Sequence, residues 1–157
     1  MKEYVNHPAH YNQHPCGIEC ISIIRHYVCD TANAVKYLWR AGLKTELGKS
    51  DAEKEIEDLE KALWYINDYL SNKTGETINY IQKNQVEVML IEQTGYSISQ
   101  ITDGYCQEIA LAMGLMLHVG IIHGGEVRHA VGWPYLLAEA IENIEKYILK
   151  LRCNQDL

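Results

Sequence analysis

Two stretches of the chain resemble each other, and this similarity constrains the fold more than any other sequence feature. "YVCDTANAVKYLWRAGL" (27–43) aligns without gaps with "YCQEIALAMGLMLHVGI" (105–121). Further along, in the same order, "EIEDLEKALWYI" (55–66) resembles "AIENIEKYILKL" (140–151). Repetition at this scale predicts one helical hairpin followed by another. We therefore expect an all-α helical bundle whose four-helix core is a degenerate duplication of a helical hairpin. Amphipathic helices can also look alike by chance, so both explanations stay open.

Hydrophobic residues at helical spacing predict most of the remaining structure. The pattern of residues 78–95 favours a helix that ends at Gly95, although its β-branched residues leave a strand open. The stretch 122–134, "IHGGEVRHAVGWP", is interpreted as a loop because of its glycines. The predicted helices cover residues 18–28, about 33–42, 51–70, 78–95, 103–122 and 135–151.

The length of 157 residues predicts one compact domain, in which residues 1–73 and 74–157 form two halves. No apolar run is long enough to span a bilayer, and the N-terminus lacks the apolar core of a signal peptide. Five cysteines without paired spacing indicate reduced thiols, so we expect a cytoplasmic protein without a membrane partner. The net charge of −7 argues against nucleic-acid binding but leaves a small anionic ligand open.

A polar stripe follows the second predicted helix. Its residues recur at the spacing that places side chains on one helical face, and the third helix carries a similar set. Arginine offers a bidentate fork and lysine a mobile charge, so an antiparallel pair of these helices would suit a phosphate. The alternative is a solvated basic stripe that pairs with acidic neighbours. The stripe residues are Asn33, Lys36, Tyr37, Arg40 and Lys44, opposite Asp58, Lys61 and Tyr65.

Residues 5 to 70 resemble a known family. "NHPAHYN", "IECISII", "NAVKYLWRAGLKTE" and "DLEKALWYI" occur in the order seen in a small phage domain, which is found in the accessory nucleotide kinase of T-odd coliphages and in related uncharacterised phage proteins. One departure is Ala32, where the family usually has glycine. The resemblance implies a phage or prophage protein that acts in the host bacterial cytoplasm.

The resemblance also implies a nucleotide ligand. Position by position, the binding residues carried over are His7, His10, Tyr11, Asn33, Lys36, Tyr37, Arg40, Lys44, Lys61 and Tyr65. As a nucleoside monophosphate kinase, the protein would use Lys36, Arg40, Lys61 and Asp58 as catalytic residues, with Mg²⁺ at Asp58. As an anti-defence protein, it would sequester a nucleotide immune signal with the same residues and no metal.

A third function, all-α nucleotide pyrophosphohydrolysis, is indicated by a run of acids in the third predicted helix. Enzymes of that kind hold Mg²⁺ with paired acids on two helices, and here the second helix supplies none. The kinase interpretation is weakened by the missing P-loop motif. The acids are Asp51, Glu53, Glu55, Glu57 and Asp58.

Histidines and cysteines crowd the N-terminal segment as His7, His10, His14, Cys16 and Cys20. Structural zinc sites usually contain closely spaced cysteine pairs, which this order does not match, so we expect no zinc here. The cysteines are expected to pack as small hydrophobic residues. The loop residues 123–129, "HGGEVRH", could line a site but more often form a connection.

The stretch 109–122 is apolar on every side if it is a single helix, and His118 is its only ionisable residue. Such a helix has to be buried all round. A four-helix monomer leaves each helix one exposed face. We therefore expect a homodimer or a higher homo-oligomer. The alternative is that the short helices and the loop at 122–134 cover this helix within one chain.

Overall fold

The computed structural model of the chain describes residues 8–14, 17–73 and 79–155. These residues contain eight helices and a small mixed sheet of three strands. In the described ranges, no helix combines the length and the apolar character needed to cross a bilayer. The elements are α1 (Ala9–Asn12), α2 (Cys20–Ile24), α3 (Cys29–Arg40), α4 (Asp51–Lys73), β1 (Asn79–Ile81), α5 (Lys83–Thr94), α6 (Ile98–Thr102), α7 (Gln107–Met116), β2 (Val119–His123), β3 (Glu126–Ala130) and α8 (Trp133–Gln155).

The first helical hairpin consists of α3 and α4. Helix α3 starts after Val28, whose backbone is extended, and ends before Gly42, which has a φ of +76° that favours glycine. Its first turn carries an acid and its last turn carries Arg40, as the helix dipole favours. One face of α3 is buried against α4 and the rest of the core. That buried face consists of Thr31, Ala34, Val35, Leu38, Trp39 and Arg40.

The second helical hairpin consists of α7 and α8, with the strands β2 and β3 between them. Helix α8 also packs on α4, where Tyr147 donates a hydrogen bond to Glu55 and Arg152 donates one to Glu60. Each of these contacts joins residues 92 positions apart, so α4 and α8 run in the same direction. The helices α3, α4, α7 and α8 therefore form one bundle.

The prediction of an all-α fold is wrong, because the segment interpreted as a loop forms a β-hairpin. Strands β2 and β3 pair antiparallel across Gly124 and Gly125, which have φ values of +59° and +77°. Two successive glycines at positive φ make the tight turn that matches the strand twist. Strand β1 joins the outer side of β3 in parallel, with Tyr80 opposite His129. Because residues 79–81 are a strand, the helix predicted for 78–95 begins only at Lys83; its end at Gly95 is confirmed.

The helix predicted for 103–122 is confirmed only over residues 107–116. Helix α7 ends at Met116, and Gly120, with a φ of +77°, lies within the strand that follows. Most of the apolar surface of α7 is covered within the chain by α3, α6 and α8, although Leu111 remains 46% exposed. The argument for a dimer therefore loses its premise. The homodimer stays a prediction, which light scattering at micromolar concentration tests.

The first predicted helix is shorter than expected. Helix α2 spans only Cys20–Ile24, after which Tyr27 forms a bridge to Ile121 beside β2. The backbone of Val28 donates to the carbonyl of Gly120, and Ile122 donates to that of His26. The segment before α3 thus covers the outer edge of the sheet. It also places α2 beside α3, where the polar stripe lies.

Candidate functional site

Arg40 and Asp58 form a buried ion pair at the centre of the predicted site. Arg40 Nη2 donates to Asp58 Oδ1 at 2.8 Å, and Nε donates to Oδ2 at 3.1 Å. Asp58 is 0% exposed and Arg40 is 7% exposed. The two parallel bonds make the fork-to-fork geometry of a strong charge-assisted pair. Burial lowers the pKa of Arg40, but the hydrogen bonds that Arg40 donates to Asp58 and Tyr11 outweigh burial and raise that pKa, so the guanidinium remains charged.

Lys54 is a site residue that the sequence interpretation missed. Its ammonium group donates to Asp58 Oδ1 and to Glu57 Oε1, both at 3.0 Å, and the residue is only 1% exposed. Lys54 lies four positions before Asp58 on α4, so the helical spacing could have revealed it. Glu57 also accepts bonds from Lys49 and Lys61. These lysines hold the pKa of Glu57 well below its usual range.

Aromatic rings lie beside these charges. The rings of Tyr37 and Tyr65 are stacked, with centroids 5.9 Å apart and planes 17° apart. Three cations face the Tyr37 ring: the Arg40 guanidinium at 4.5 Å from its centroid, the Lys36 ammonium at 4.7 Å and the Lys61 ammonium at 5.7 Å. Cation–π attraction draws these groups together on one ring despite their mutual repulsion. The structure thus brings the predicted stripe on α3 together with α4 residues that were predicted to lie opposite it.

Helix α1 adds His10 and Tyr11 to the same place. Arg40 Nη1 donates to the Tyr11 hydroxyl at 3.2 Å, and the ring centroids of His10 and Tyr11 lie 4.3 Å apart. Burial lowers the pKa of His10, and the charges of Lys44 and Arg40 lower it further. His10 is therefore neutral at neutral pH and can donate or accept a hydrogen bond.

The charged side chains around Asp58 and Glu57 carry more positive than negative charge. We call this group of residues the cationic cluster. Among the described residues, no carboxylate forms an ion pair with Lys36 or Lys44. Burial lowers the pKa of Lys44, and the nearby charges of Arg40 and Lys54 add to this effect. A local surplus of cations in an acidic chain is the electrostatic pattern of an anion site. The cluster consists of six cations, Lys36, Arg40, Lys44, Lys49, Lys54 and Lys61, around three carboxylates, Glu46, Glu57 and Asp58.

Asn33 has a supporting contact in this arrangement. Its side-chain oxygen accepts a hydrogen bond from Lys36 Nζ at 2.8 Å, and its amide donates to the carbonyl of Cys29 at 2.9 Å. These bonds hold Lys36 toward the α3 face that carries the stripe. The last of the predicted binding residues, His7, lies outside the described residues.

Magnesium does not fit at Asp58. Mg²⁺ binds carboxylate oxygens that can take a place in its octahedral shell. Both oxygens of Asp58 already accept bonds from Arg40 or Lys54, and the residue is fully buried. Of the other α4 acids, Glu57 is held by lysines and Glu55 accepts from Tyr147. Asp58 therefore positions Arg40 and Lys54.

Two residues of the N-terminal histidine and cysteine segment, His14 and Cys20, are buried and contribute to the packing. The His14 ring lies between Trp39 and Tyr105, with centroids 4.7 and 4.5 Å away. Burial raises the pKa of the Cys20 thiol to about 12, so this side chain packs as a neutral group. No cluster of three or more potential metal-ligating side chains occurs in residues 8–14, 17–73 and 79–155. Cys16 lies outside these ranges, so the prediction of no zinc remains open.

The alternative site at 123–129 is not assembled. Its two glycines form the turn of the β-hairpin, and His129 is buried beneath the sheet with Nε2 2.8 Å from the Tyr69 hydroxyl. His123 lies 3.7 Å from Glu92 on a different surface, and His118 contacts the carbonyl of Gly114. These histidines therefore do not converge on one ligand.

A model of a protein family of unknown function, DUF3310, matches residues 5–67. No curated protein and no solved structure matches the chain. The matched segment contains every residue of the cationic cluster, whereas α7, α8 and the sheet lie outside it. The family description names no activity, so the resemblance to the phage nucleotide kinase domain stays an expectation.

Proposed function

We propose that the chain binds a nucleotide and that the cationic cluster holds the phosphate. The observation that carries the proposal is the excess of cations, six against three carboxylates, beside the stacked rings of Tyr37 and Tyr65. Lysine and arginine bind phosphate oxygens through charge-assisted hydrogen bonds. The resemblance to a phage nucleotide kinase domain supports the same ligand class.

Within the cluster, we assign contact with the ligand to the accessible lysines. Arg40 and Lys54 are buried, and both donate hydrogen bonds to Asp58; Lys54 also donates one to Glu57. Lys36 and Lys44 are half-buried, and no described carboxylate pairs with them. These ammonium groups can turn toward a phosphate without breaking an ion pair. The buried positive charge of Arg40 attracts the same phosphate electrostatically.

We favour holding of the nucleotide over its chemical conversion. Phosphoryl transfer and pyrophosphohydrolysis both use Mg²⁺ to neutralise developing charge. The occupied oxygens of Asp58 support a binding role, such as sequestration of a nucleotide immune signal by a phage protein in the bacterial cytoplasm. Turnover of a labelled nucleotide with and without Mg²⁺ distinguishes these functions, and metal-dependent product formation would overturn the non-catalytic assignment.

The binding test uses isothermal titration calorimetry with nucleoside mono-, di- and triphosphates and cyclic dinucleotides. Lys44→Ala should weaken the tightest ligand by about tenfold or more, since a hydrogen bond to a charged group contributes roughly 1.5–3 kcal/mol. Lys146→Ala is the matched control, because this exposed lysine occupies the position on α8 that aligns with Lys61.

The control variant should bind within twofold of the unmodified protein, and both variants should keep its melting temperature. If no ligand of the panel binds at millimolar concentration, the proposal is wrong. Equal weakening by both lysine substitutions would also contradict it, because it would indicate only a general charge effect.

A further inference from the structure

A cleft of about 210 Å³ opens beside the cationic cluster, between α1, α2 and α3. Its walls are mostly apolar. A volume of 210 Å³ is below the roughly 300–1,000 Å³ of pockets for drug-sized ligands, so it suits one planar ring system. The residues that line it are Pro8, Tyr11, Asn12, Glu19, Cys20, Ile21, Ile24 and Lys36.

Two residues belong both to this cleft and to the phosphate site. Tyr11 lines the cleft, and its hydroxyl accepts the hydrogen bond from Arg40. Lys36 also lines the cleft, and its ammonium lies 4.7 Å from the Tyr37 centroid, over the ring that Arg40 also faces. The cleft and the cationic cluster are therefore adjoining parts of one surface.

The chemistry of the walls excludes a phosphate from the cleft itself. A phosphate placed there would lose its hydration and face isoleucines, a proline and the neutral thiol of Cys20. Lys36 is the only cation among the lining residues. The apolar walls instead match a flat ring, and the side-chain amide of Asn12 offers a donor and an acceptor for its edge.

We propose that this cleft binds the nucleobase of the nucleotide whose phosphate the cationic cluster holds. This inference rests on the proposed function and names the ligand more closely, as a nucleoside phosphate recognised through its base as well as its charge. The base enters between α1 and α2, and Lys36 lies at the junction between base and phosphate. A ligand with the phosphate but no base occupies only the cluster.

The test compares nucleoside 5′-monophosphates, AMP and dTMP, with ribose 5-phosphate by calorimetry. Ribose 5-phosphate keeps the phosphate charge of both nucleotides and the sugar of AMP, and it lacks the base. We expect at least one of the two nucleotides to bind ten or more times tighter than ribose 5-phosphate. Ile21→Trp should remove this difference by filling the cleft, and it should leave ribose 5-phosphate binding within twofold.

Ile21 is 50% exposed, so the larger ring can be accommodated without disturbing the core. Asn12→Trp fills the cleft from α1 and serves as a second, independent variant. Ile91→Trp is the matched control, because Ile91 is 43% exposed on α5 and does not line the cleft. Melting temperatures confirm that each variant is folded.

The outcomes separate the two proposals. Equal binding of the nucleotides and ribose 5-phosphate to the unmodified protein would overturn the base cleft and leave phosphate binding intact. Loss of ribose 5-phosphate binding in both filled variants, with Ile91→Trp unaffected, would also overturn the cleft as a separate base site. If neither ribose 5-phosphate nor any nucleotide of the panel described above binds, both proposals are wrong.

Discussion

The two helical hairpins share a buried apolar pattern but differ in their charged residues. In the alignment of α3 with α7, matching positions are buried in both: Thr31 and Ile109, Ala34 and Ala112, Val35 and Met113, Leu38 and Met116, Trp39 and Leu117. Both helices start at matching positions, after Val28 and Cys106. Both segments also reach a glycine with nearly the same φ, +76° at Gly42 and +77° at Gly120.

The charged residues of the first hairpin are not repeated at the matching positions of the second. Arg40 aligns with His118, whose pKa is lowered by burial, and Asp58 aligns with Asn143, which bonds to the carbonyl of Glu139. The ion pair of the second hairpin, Glu108 with Lys150, lies elsewhere, and its lysine is half-exposed. The second hairpin therefore packs without a buried ion network.

This difference bears on what the cationic cluster is for. A buried ion pair adds little net stability compared with apolar residues of similar size, because both charges lose their hydration. The second hairpin has the same apolar pattern without such a pair. The cluster is thus unnecessary for building a helical hairpin of this kind, which supports a role in holding a ligand.

Replacing a residue of the first hairpin by its counterpart in the second should cause the largest loss of stability. Asp58→Asn installs the residue found at the matching position 143, and it leaves Arg40 and Lys54 buried without their shared carboxylate. Breaking a buried ion pair by removing one partner costs about 3–5 kcal/mol of unfolding free energy. Urea denaturation at pH 7 measures the loss.

The reciprocal exchange is the control. Asn143→Asp changes a half-buried side chain that bonds only the Glu139 carbonyl among the described residues, so its effect should stay within about 1 kcal/mol. Similar losses in both variants would show that the two positions are equivalent and would contradict the comparison.

The two aligned glycines provide the next test. Alanine at either position meets the left-handed backbone cost of about 1–2 kcal/mol. At Gly120 a Cβ atom would also lie 2.5 Å from Val28 Cγ2 and 3.0 Å from Thr31 Oγ1. At Gly42 the nearest atom is the flexible end of Glu55, at 3.1 Å.

We therefore expect Gly120→Ala to destabilise the protein by about 1–3 kcal/mol more than Gly42→Ala does, which is the usual cost of overpacking a core. Denaturation midpoints of the two variants in the same buffer give the difference. A larger loss at Gly42 would show that the contact between α3 and the sheet is looser than its geometry indicates.

The smallest effect concerns Glu55, which aligns with the buried Ala140. Burial raises the pKa of Glu55 above its ordinary value of 4.5, although the hydrogen bond from Tyr147 opposes the shift. Such a carboxyl destabilises the folded state as the pH rises through its pKa, because it must ionise while buried. Glu55→Gln should thus stabilise the protein at pH 7, by less than about 1 kcal/mol, and the gain should vanish well below pH 4.5.

Glu57→Gln is the control, because it should change the stability at pH 7 in the opposite direction. The pKa of Glu57 is lowered by Lys49, Lys61 and Lys54, so this carboxylate contributes stability above its ordinary pKa and loses it in acid. Its replacement should destabilise the protein at pH 7 and have little effect once the carboxyl is protonated in both states. Unfolding curves at pH 7 and in acid, measured on both variants, separate the two signs.

Local sequence information determined the helices of the first hairpin and most residues of its cationic cluster. Helical spacing placed Lys36, Tyr37 and Arg40 on one face of α3, because an i, i+4 pattern depends only on helix geometry. The packing of α3 on α4 then brings Arg40 to Asp58. The end of α5 at Gly95 was also predictable, since a helix C-cap with φ near +80° favours glycine.

Only the tertiary structure decided the sheet, the environment of each charge and the cleft. The sequence of β2, "VGIIH", is apolar enough for either a buried helix or a strand, and pairing with β3 across two glycines selected the strand. The composition of α4 does not reveal that Lys54 is buried or that Asp58 is fully occupied. Both facts depend on which helix packs against α4, and that is a long-range contact no local pattern encodes.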